Sequence, residues 1–255
     1  MKTYVYVDGF NLYYGALKNT ELKWLDLNIL SRQLVPSNHT IARIKYFKAR
    51  VSGASDPESP KRQQLYLNAL RALQIVEVHF GSFLSKTIRR PTVNLPIANR
   101  PISTPSPVVL PKGSWDVAFP RGPQVLTIGS YQPKGKSRKG PAPHPPKNAV
   151  HAEVHTMEEK GSDVNLASHL LNDAWKDAYE AAVVISNDTD LVTPIRMVAA
   201  ERKKLVYIVA PGEFGVSKPL ASVATHQRHI RKSMLIAAQF ADPIPGTAIR
   251  KPVGW

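Results

Sequence analysis

Five consecutive apolar residues, Ala181-Ala182-Val183-Val184-Ile185, are followed at once by Ser186-Asn187-Asp188-Thr189-Asp190. A run that is apolar at every position cannot leave one face of a sheet in water, so it reads as a central parallel strand covered on both sides. Between Lys2 and about Phe83 the pattern alternates in the same way. Thr3 to Val7 reads as strand, Asn11 to Lys18 as helix, and Asp26 to Val35 as a helix capped by Asp26 with Pro36 just past its end. Ile41 to Val51 reads as strand, Pro57 to Leu73 as helix and Ile75 to Phe83 as strand. The second half resumes with a strand at Val150 to Met157 and a helix at Asp163 to Tyr179, whose inward stripe is read as Val164, Ala167, Leu170, Leu171 and Ala174. After Ala181 to Ile185 come a helix at Thr189 to Glu201 and a strand at Leu205 to Ala210, closed by Pro211-Gly212. Strands alternating with helices imply right-handed βαβ units, hence an α/β fold: a three-layer α/β/α sandwich around a central, mainly parallel sheet.

Residues 85–149 break this rhythm. Ser85 to Asn148 hold 13 of the 22 prolines and 11 basic residues against one acid, Asp116. Such a stretch cannot be a buried strand–helix unit and reads as a basic, Pro-rich insertion. Residues 1–84 and 150–255 are then two parts of one domain, the second ending in a C-terminal helical segment on which His226 and His229 are expected.

The whole chain carries 34 Lys and Arg against 19 Asp and Glu, a formal charge of +15, which favours polyanionic partners and nucleic acid first. No cysteine occurs, so disulfides, thiolate zinc sites and cysteine nucleophiles are excluded. The apolar run Tyr4 to Val7 is too short for a signal peptide or a membrane span, so no membrane partner and a cytoplasmic location are expected. A homodimer stays open.

In open parallel sheets the functional crevice lies outside the carboxyl ends of the strands. Asp8 ends one strand, Asp188 and Asp190 follow another, and Asp163 starts a long helix. Taken singly, an aspartate between strand and helix is most often a cap worth about 1 kcal/mol. Asp190 escapes that explanation, because Asp188 already serves as cap. Jointly, three βα junctions send four carboxylates toward one edge of a sheet in a strongly basic protein. Crowded like charges are costly unless a cation lies among them, and Mg²⁺ or Mn²⁺, which prefer oxygen ligands and phosphate oxygens, suit the set. The combination points to metal-assisted phosphodiester hydrolysis.

Three ordered stretches, Val7-Asp8-Gly9-Phe10-Asn11-Leu12-Tyr13, Glu159-Lys160-Gly161-Ser162-Asp163-Val164-Asn165-Leu166 and Ile185-Ser186-Asn187-Asp188-Thr189-Asp190-Leu191, resemble the NYN domain family of PIN-like nucleases, in its bacterial LabA/DUF88 branch. The resemblance covers about Met1 to Phe83 and Val150 to Ala210. It implies a PIN-like fold, a Mg²⁺ or Mn²⁺ site and ribonuclease activity, with RNA ahead of DNA. Carried over by position, Asp8, Asp163, Asp188 and Asp190 would bind metal. Asn11 would orient Asp8 or a water, Ser186 would add a hydroxyl, and Lys160 would contact phosphate, with Glu159 further out.

For substrate grip, Lys45, Lys48 and Arg50 lie on or beside one strand and Lys61, Arg62 and Arg71 on the following helix. In the insertion, Arg138 and its basic neighbours could track a phosphate backbone, and Trp115 and Tyr131 could stack on unpaired bases. His151, Glu153 and His155 share one strand face by period two and read as its polar side rather than as a metal site. The competing reading is a nucleic-acid-binding regulator with a vestigial nuclease site.

Overall fold

The computed structural model describes residues 1–51, 53, 56–91, 151–212 and 215–255; for 83–86, 90–91 and 151–159 it describes the backbone. Arg138, Trp115 and Tyr131, and the side chains of His151, Glu153, His155 and Glu159, thus lie outside what is described. The chain divides into two compact units, Met1–Leu84 with Glu159–Trp255, and Ser85–Glu158.

The strands are β1 (Lys2–Asp8), β2 (Thr40–Ala49), β3 (Val76–Pro91), β4 (His151–Lys160), β5 (Ala181–Ile185), β6 (Leu205–Ala210) and β7 (His226–His229). They form one sheet in the order β4-β3-β2-β1-β5-β6-β7, and the pairs from β3 through β7 are parallel. The chain steps outward from β1 to β2 to β3, then returns to lay β5 against the other side of β1. The switch point of the fold is therefore the β1/β5 boundary.

The central strands are covered on both faces, as their apolar runs demand. Val5, Val7, Val183, Ile185, Tyr207 and Val209 join one core with residues of α2 (Leu27–Gln33), α3 (Ser59–Ala72) and α7 (Lys232–Ala237). Tyr6, Ala182, Val184, Val206 and Ile208 join the other, with α4 (Ser162–Trp175), α5 (Val192–Arg196) and α6 (Lys218–Ala221). These two cores on opposite faces are the three-layer α/β/α sandwich. Asp26 caps α2 as expected, accepting from the Asn28 and Ile29 amides at 2.7 and 3.0 Å.

Three expectations are corrected. The first helix starts at Gly9, not Asn11, as α1 (Gly9–Leu12), and widens into a π-helical turn at Tyr13–Leu17. Val164 does not face the core: it is 67% exposed, and the buried stripe of α4 is Ser162, Leu166, Leu170, Asp173 and Ala174. His226 and His229 lie on an edge strand, because the four-residue polar stretch HQRH pairs with β6 rather than building an amphipathic helix. Among the described residues no helix is long and apolar enough to cross a membrane.

Lys45 is also corrected. It is not offered to a substrate but buried between β2 and α4, with Nζ 2.6 Å from Asp173 Oδ2 and 3.3 Å from His169 Nδ1. Alternation along β2 explains this, since Ile44 and Tyr46 enter one core and Lys45 turns toward the other face. Tyr6 donates its hydroxyl to the same Asp173 oxygen at 2.7 Å, and burial pushes that phenol far above its ordinary pKa, keeping it a neutral donor. His169 lies 4.2 Å, ring to ring, from His79, which stacks on Phe47. Burial pushes both imidazoles below their ordinary pKa, helped for His79 by His169 and Lys45 and for His169 by Lys45. Glu77 pulls the other way on both, and Asp173 on His169, without reversing it.

Two outcomes follow from this layer. Lys45→Met leaves the Asp173 carboxylate buried without its cation, and urea unfolding should show a loss of about 3–5 kcal/mol, partly recovered in Lys45→Met/Asp173→Leu. The two histidines have folded pKa values below the unfolded value of about 6.5, so the stability of their neutral forms is complete above that pH and is lost as pH falls through the folded values. Unfolding midpoints should therefore drop on acidification below about pH 6.5, and less steeply in His79→Gln/His169→Asn.

Candidate active site at the β1/β5 switch point

β1 ends at Asp8, where the chain must leave the sheet and start a helix at once. Gly9 permits this: a Cβ there would lie 2.8 Å from the Phe47 carbonyl oxygen and from the Tyr46 ring. Asp8 caps the helix through Oδ1, which accepts from the Asn11 amide at 2.9 Å. Its second oxygen has other partners, accepting from Asn11 Nδ2 at 2.6 Å and from the Ser186 hydroxyl at 2.9 Å. The carboxylate is 2% exposed and held in one orientation by donors from two separate strand ends.

The second strand end is built to match. Val7 is in register with Ile185, so Asp8 and Ser186 leave adjacent parallel strands side by side. The fully buried Ser186 oxygen donates to Asp8 and accepts from the Asp188 amide at 3.1 Å. Asp188 in turn caps a 3₁₀ turn at Thr189–Leu191, its Oδ1 accepting from the Asp190 amide at 3.1 Å. One hydrogen-bonded chain thus runs Asn11–Asp8–Ser186–Asp188–Asp190. Asn187, not anticipated, braces it: its amide N–H reaches Asn11 Oδ1 at 3.4 Å and its side-chain oxygen accepts from the Ser217 amide at 2.8 Å. The signal for Asn187 was its place between two strand-end residues already singled out.

Asp188 is 6% exposed, whereas the Asp190 side chain is open to solvent. The cap explanation therefore accounts for one oxygen of Asp188 and leaves Asp190 unexplained, as the spacing implied. Asp163 is half-buried in the first turn of α4, and the cap there is Gly161, with φ of 87°, so Asp163 is not needed as one. That turn is tied to the carboxyl half of the sheet, since Asn165 Nδ2 donates to the Phe80 carbonyl at 3.3 Å and Phe80 pairs with Lys48, one residue beyond the partner of Asp8. Among the described residues no three His, Asp or Glu side chains lie close enough together to hold a metal ion. Asp8 and Asp188 on adjacent strand ends remain an all-oxygen pair, and one or two carboxylates completed by water and phosphate oxygens are what Mg²⁺ ordinarily takes from a protein.

The expected phosphate contacts are scattered. Ser186 is buried and committed to Asp8 and Asp188, so it is a support of the site rather than a substrate contact. Arg62 is engaged by Asp56 at the start of α3. Arg50 is exposed, with its guanidinium 4.4 Å over the Phe80 ring, and Lys160 is exposed just before α4. Next to Asn11 the rings of Phe10 and Tyr14 pack 4.4 Å apart, with Lys18 Nζ 5.1 Å over Tyr14 and Lys48 Nζ 4.9 Å over Tyr13.

The chain is 28% identical over 277 aligned positions to the 6-hydroxy-3-succinoylpyridine 3-monooxygenase HspA of Pseudomonas putida, covering 100% of this chain and 75% of that protein. Among solved structures it is similar to a protein of unknown function from Vibrio parahaemolyticus, with a TM-score of 0.45, 14% identity and coverage of 91% of this chain and 93% of that one. Residues 141–231 match the family model of the NYN domain, and that stretch contains Asp163, Ser186, Asp188 and Asp190. The chain is thus similar to the NYN domain family over residues 141–231.

Proposed function

We propose that the protein is a metal-dependent nuclease that hydrolyses phosphodiester bonds, in RNA ahead of DNA. The observation that carries this reading is the hydrogen-bonded junction of Asp8 with the Ser186–Asp188 turn at the switch point. The NYN match and the +15 charge agree with a polyanionic substrate. Mg²⁺ or Mn²⁺, when bound, would supply an acidified water and neutralise charge on phosphate oxygens. Asp8 and Asp188 would hold the ion, with Asp163 and Asp190 as further carboxylates of the same edge. Asn11 and Ser186 position Asp8, each donating to its Oδ2. Lys160 and Arg50, both exposed, would contact phosphate.

A second reading has its own support, since the likeness to HspA runs through the whole chain and not only residues 141–231. On that reading the protein would be a monooxygenase acting on an aromatic compound of the succinoylpyridine kind, and the carboxylate edge would not be its centre.

A cleavage assay on single-stranded RNA, structured RNA and DNA separates the two. Cleavage should require Mn²⁺ or Mg²⁺ and stop in EDTA. Asp8→Asn and Asp188→Asn should each lower the rate by about 100-fold or more, the scale of several kcal/mol of lost charge stabilisation. Asp190→Asn, which leaves the cap at Asp188 intact, should also be impaired. No cleavage by the wild type, together with reductant- and oxygen-dependent turnover of 6-hydroxy-3-succinoylpyridine that survives Asp8→Asn, would establish the second reading.

A further inference from the structure

Strand β7 lies at one end of the sheet order, paired with β6, and all four of its residues are exposed. In a parallel strand alternate residues turn their N–H and C=O away from the neighbour, so the outer side of β7 presents main-chain donors and acceptors. Among the described residues none takes these groups up. Register decides which side chains flank the edge. His226 pairs with Tyr207 and Arg228 with Val209, whose side chains enter the core shared with α2 and α7, so His226 and Arg228 lie on that same face. There a groove of about 660 Å³ separates the strand from the two helices, with Gln33 and Pro36 on the α2 side and Arg231 and Met234 on the α7 side. His226 stacks on the Tyr207 ring with 4.5 Å between centroids. Arg228 and Arg231 have no side-chain hydrogen bond or ion pair with any described residue, and no Asp or Glu lines the groove.

We infer that the outer edge of β7 is a docking surface for an extended acidic peptide, which adds to the sheet as a further strand. It does not depend on the chemistry at the carboxylate edge. Main-chain hydrogen bonds hold a peptide added in this way, and its alternate side chains give the selectivity. Every second side chain of the added strand falls on the groove face, so acids at alternate positions meet Arg228 and Arg231. Nucleic acid would satisfy the arginines but not the strand, because phosphate oxygens only accept, whereas the edge offers both donors and acceptors. A second copy of the chain would set Arg228 and Arg231 against the same residues of its twin, and like charges across an edge keep copies apart. Ser85 to Asn148 of the chain itself carry 11 basic residues and one acid, so their charge does not complement the groove. An acidic peptide matches the unpaired main chain and the unpaired cations together.

The test is fluorescence anisotropy on the full chain with a short labelled peptide of alternating Glu and Val. Two controls accompany it: the same peptide with Lys for Glu, and the Glu peptide with every backbone nitrogen methylated, which keeps the charge and removes the donors. The acidic peptide should bind, more weakly as salt rises, and neither control should. Arg228→Glu/Arg231→Glu should weaken binding about tenfold, since each exposed pair contributes little alone. Arg228→Lys/Arg231→Lys, which keeps the charge, should retain most of the affinity; thermal melting checks that each variant is folded. Equal binding of the methylated peptide would reduce the site to charge attraction and overturn strand addition. No binding of the acidic peptide by the wild type, or unchanged affinity after charge reversal, would overturn the surface altogether. A short single-stranded RNA that displaces the peptide as well as unlabelled peptide of equal charge does would assign the edge to nucleic acid instead. A wild-type dimer that the charge reversal abolishes or tightens would assign it to a second copy.

Discussion

The parallel pairing of β1 with β5 is the contact on which the rest of the molecule depends. It brings Asp8 and Ser186, 178 residues apart, within 2.9 Å. The register of that pairing is secured by burial on both faces: Val5 and Val7 enter one core while Tyr6 enters the other, and the same alternation holds along β5. A slip of one residue would send every one of these side chains to the wrong face, so the packing that stabilises the sheet also fixes which strand ends meet. The site inherits its precision from the core beneath it.

Below Asp8, on the side covered by α4, the sheet carries a layer of polar groups rather than a purely apolar one. Tyr6, Lys45 and Glu77 are in register across β1, β2 and β3, and Asp8, Phe47 and His79 form the next row. Lys45 and Asp173 therefore join sheet to helix through a buried ion pair, with Tyr6 sharing the carboxylate. Leu166 and Leu170 supply the apolar contact of α4, but an ion pair has directional requirements that leucines lack. Its effect is to fix where α4 lies along the strands, and hence where Asp163 is delivered relative to the carboxyl edge. Buried charge of this kind costs desolvation, and its return here is position.

Much of this was legible in residues alone. The run at Ala181–Ile185 announced a strand buried on both sides, Thr3–Val7 and Leu205–Ala210 announced strands, and Asp26 announced its cap. Asp190 stood out as a charge that capping could not use, and it is indeed exposed while Asp188 caps. Other features were misread for physical reasons. Val164 has the spacing of an inward residue, but the helix is capped by Gly161 and presents Leu166 and Leu170 instead. HQRH carries no periodicity, and a polar edge strand is recognised only when its neighbour is in place. Lys45 belongs to a basic stretch, and its neighbours in sequence do not disclose that a carboxylate 128 residues away will meet it.

Local sequence determined which segments are strands, which turns follow them and which carboxylates stand at strand ends, because apolar periodicity and capping are contests among residues close in the chain. Only the tertiary structure decided which strand ends become neighbours and which charges are withdrawn into the interior. Those outcomes depend on pairing order and on what lies across each face, and neither is a property of any short stretch of residues.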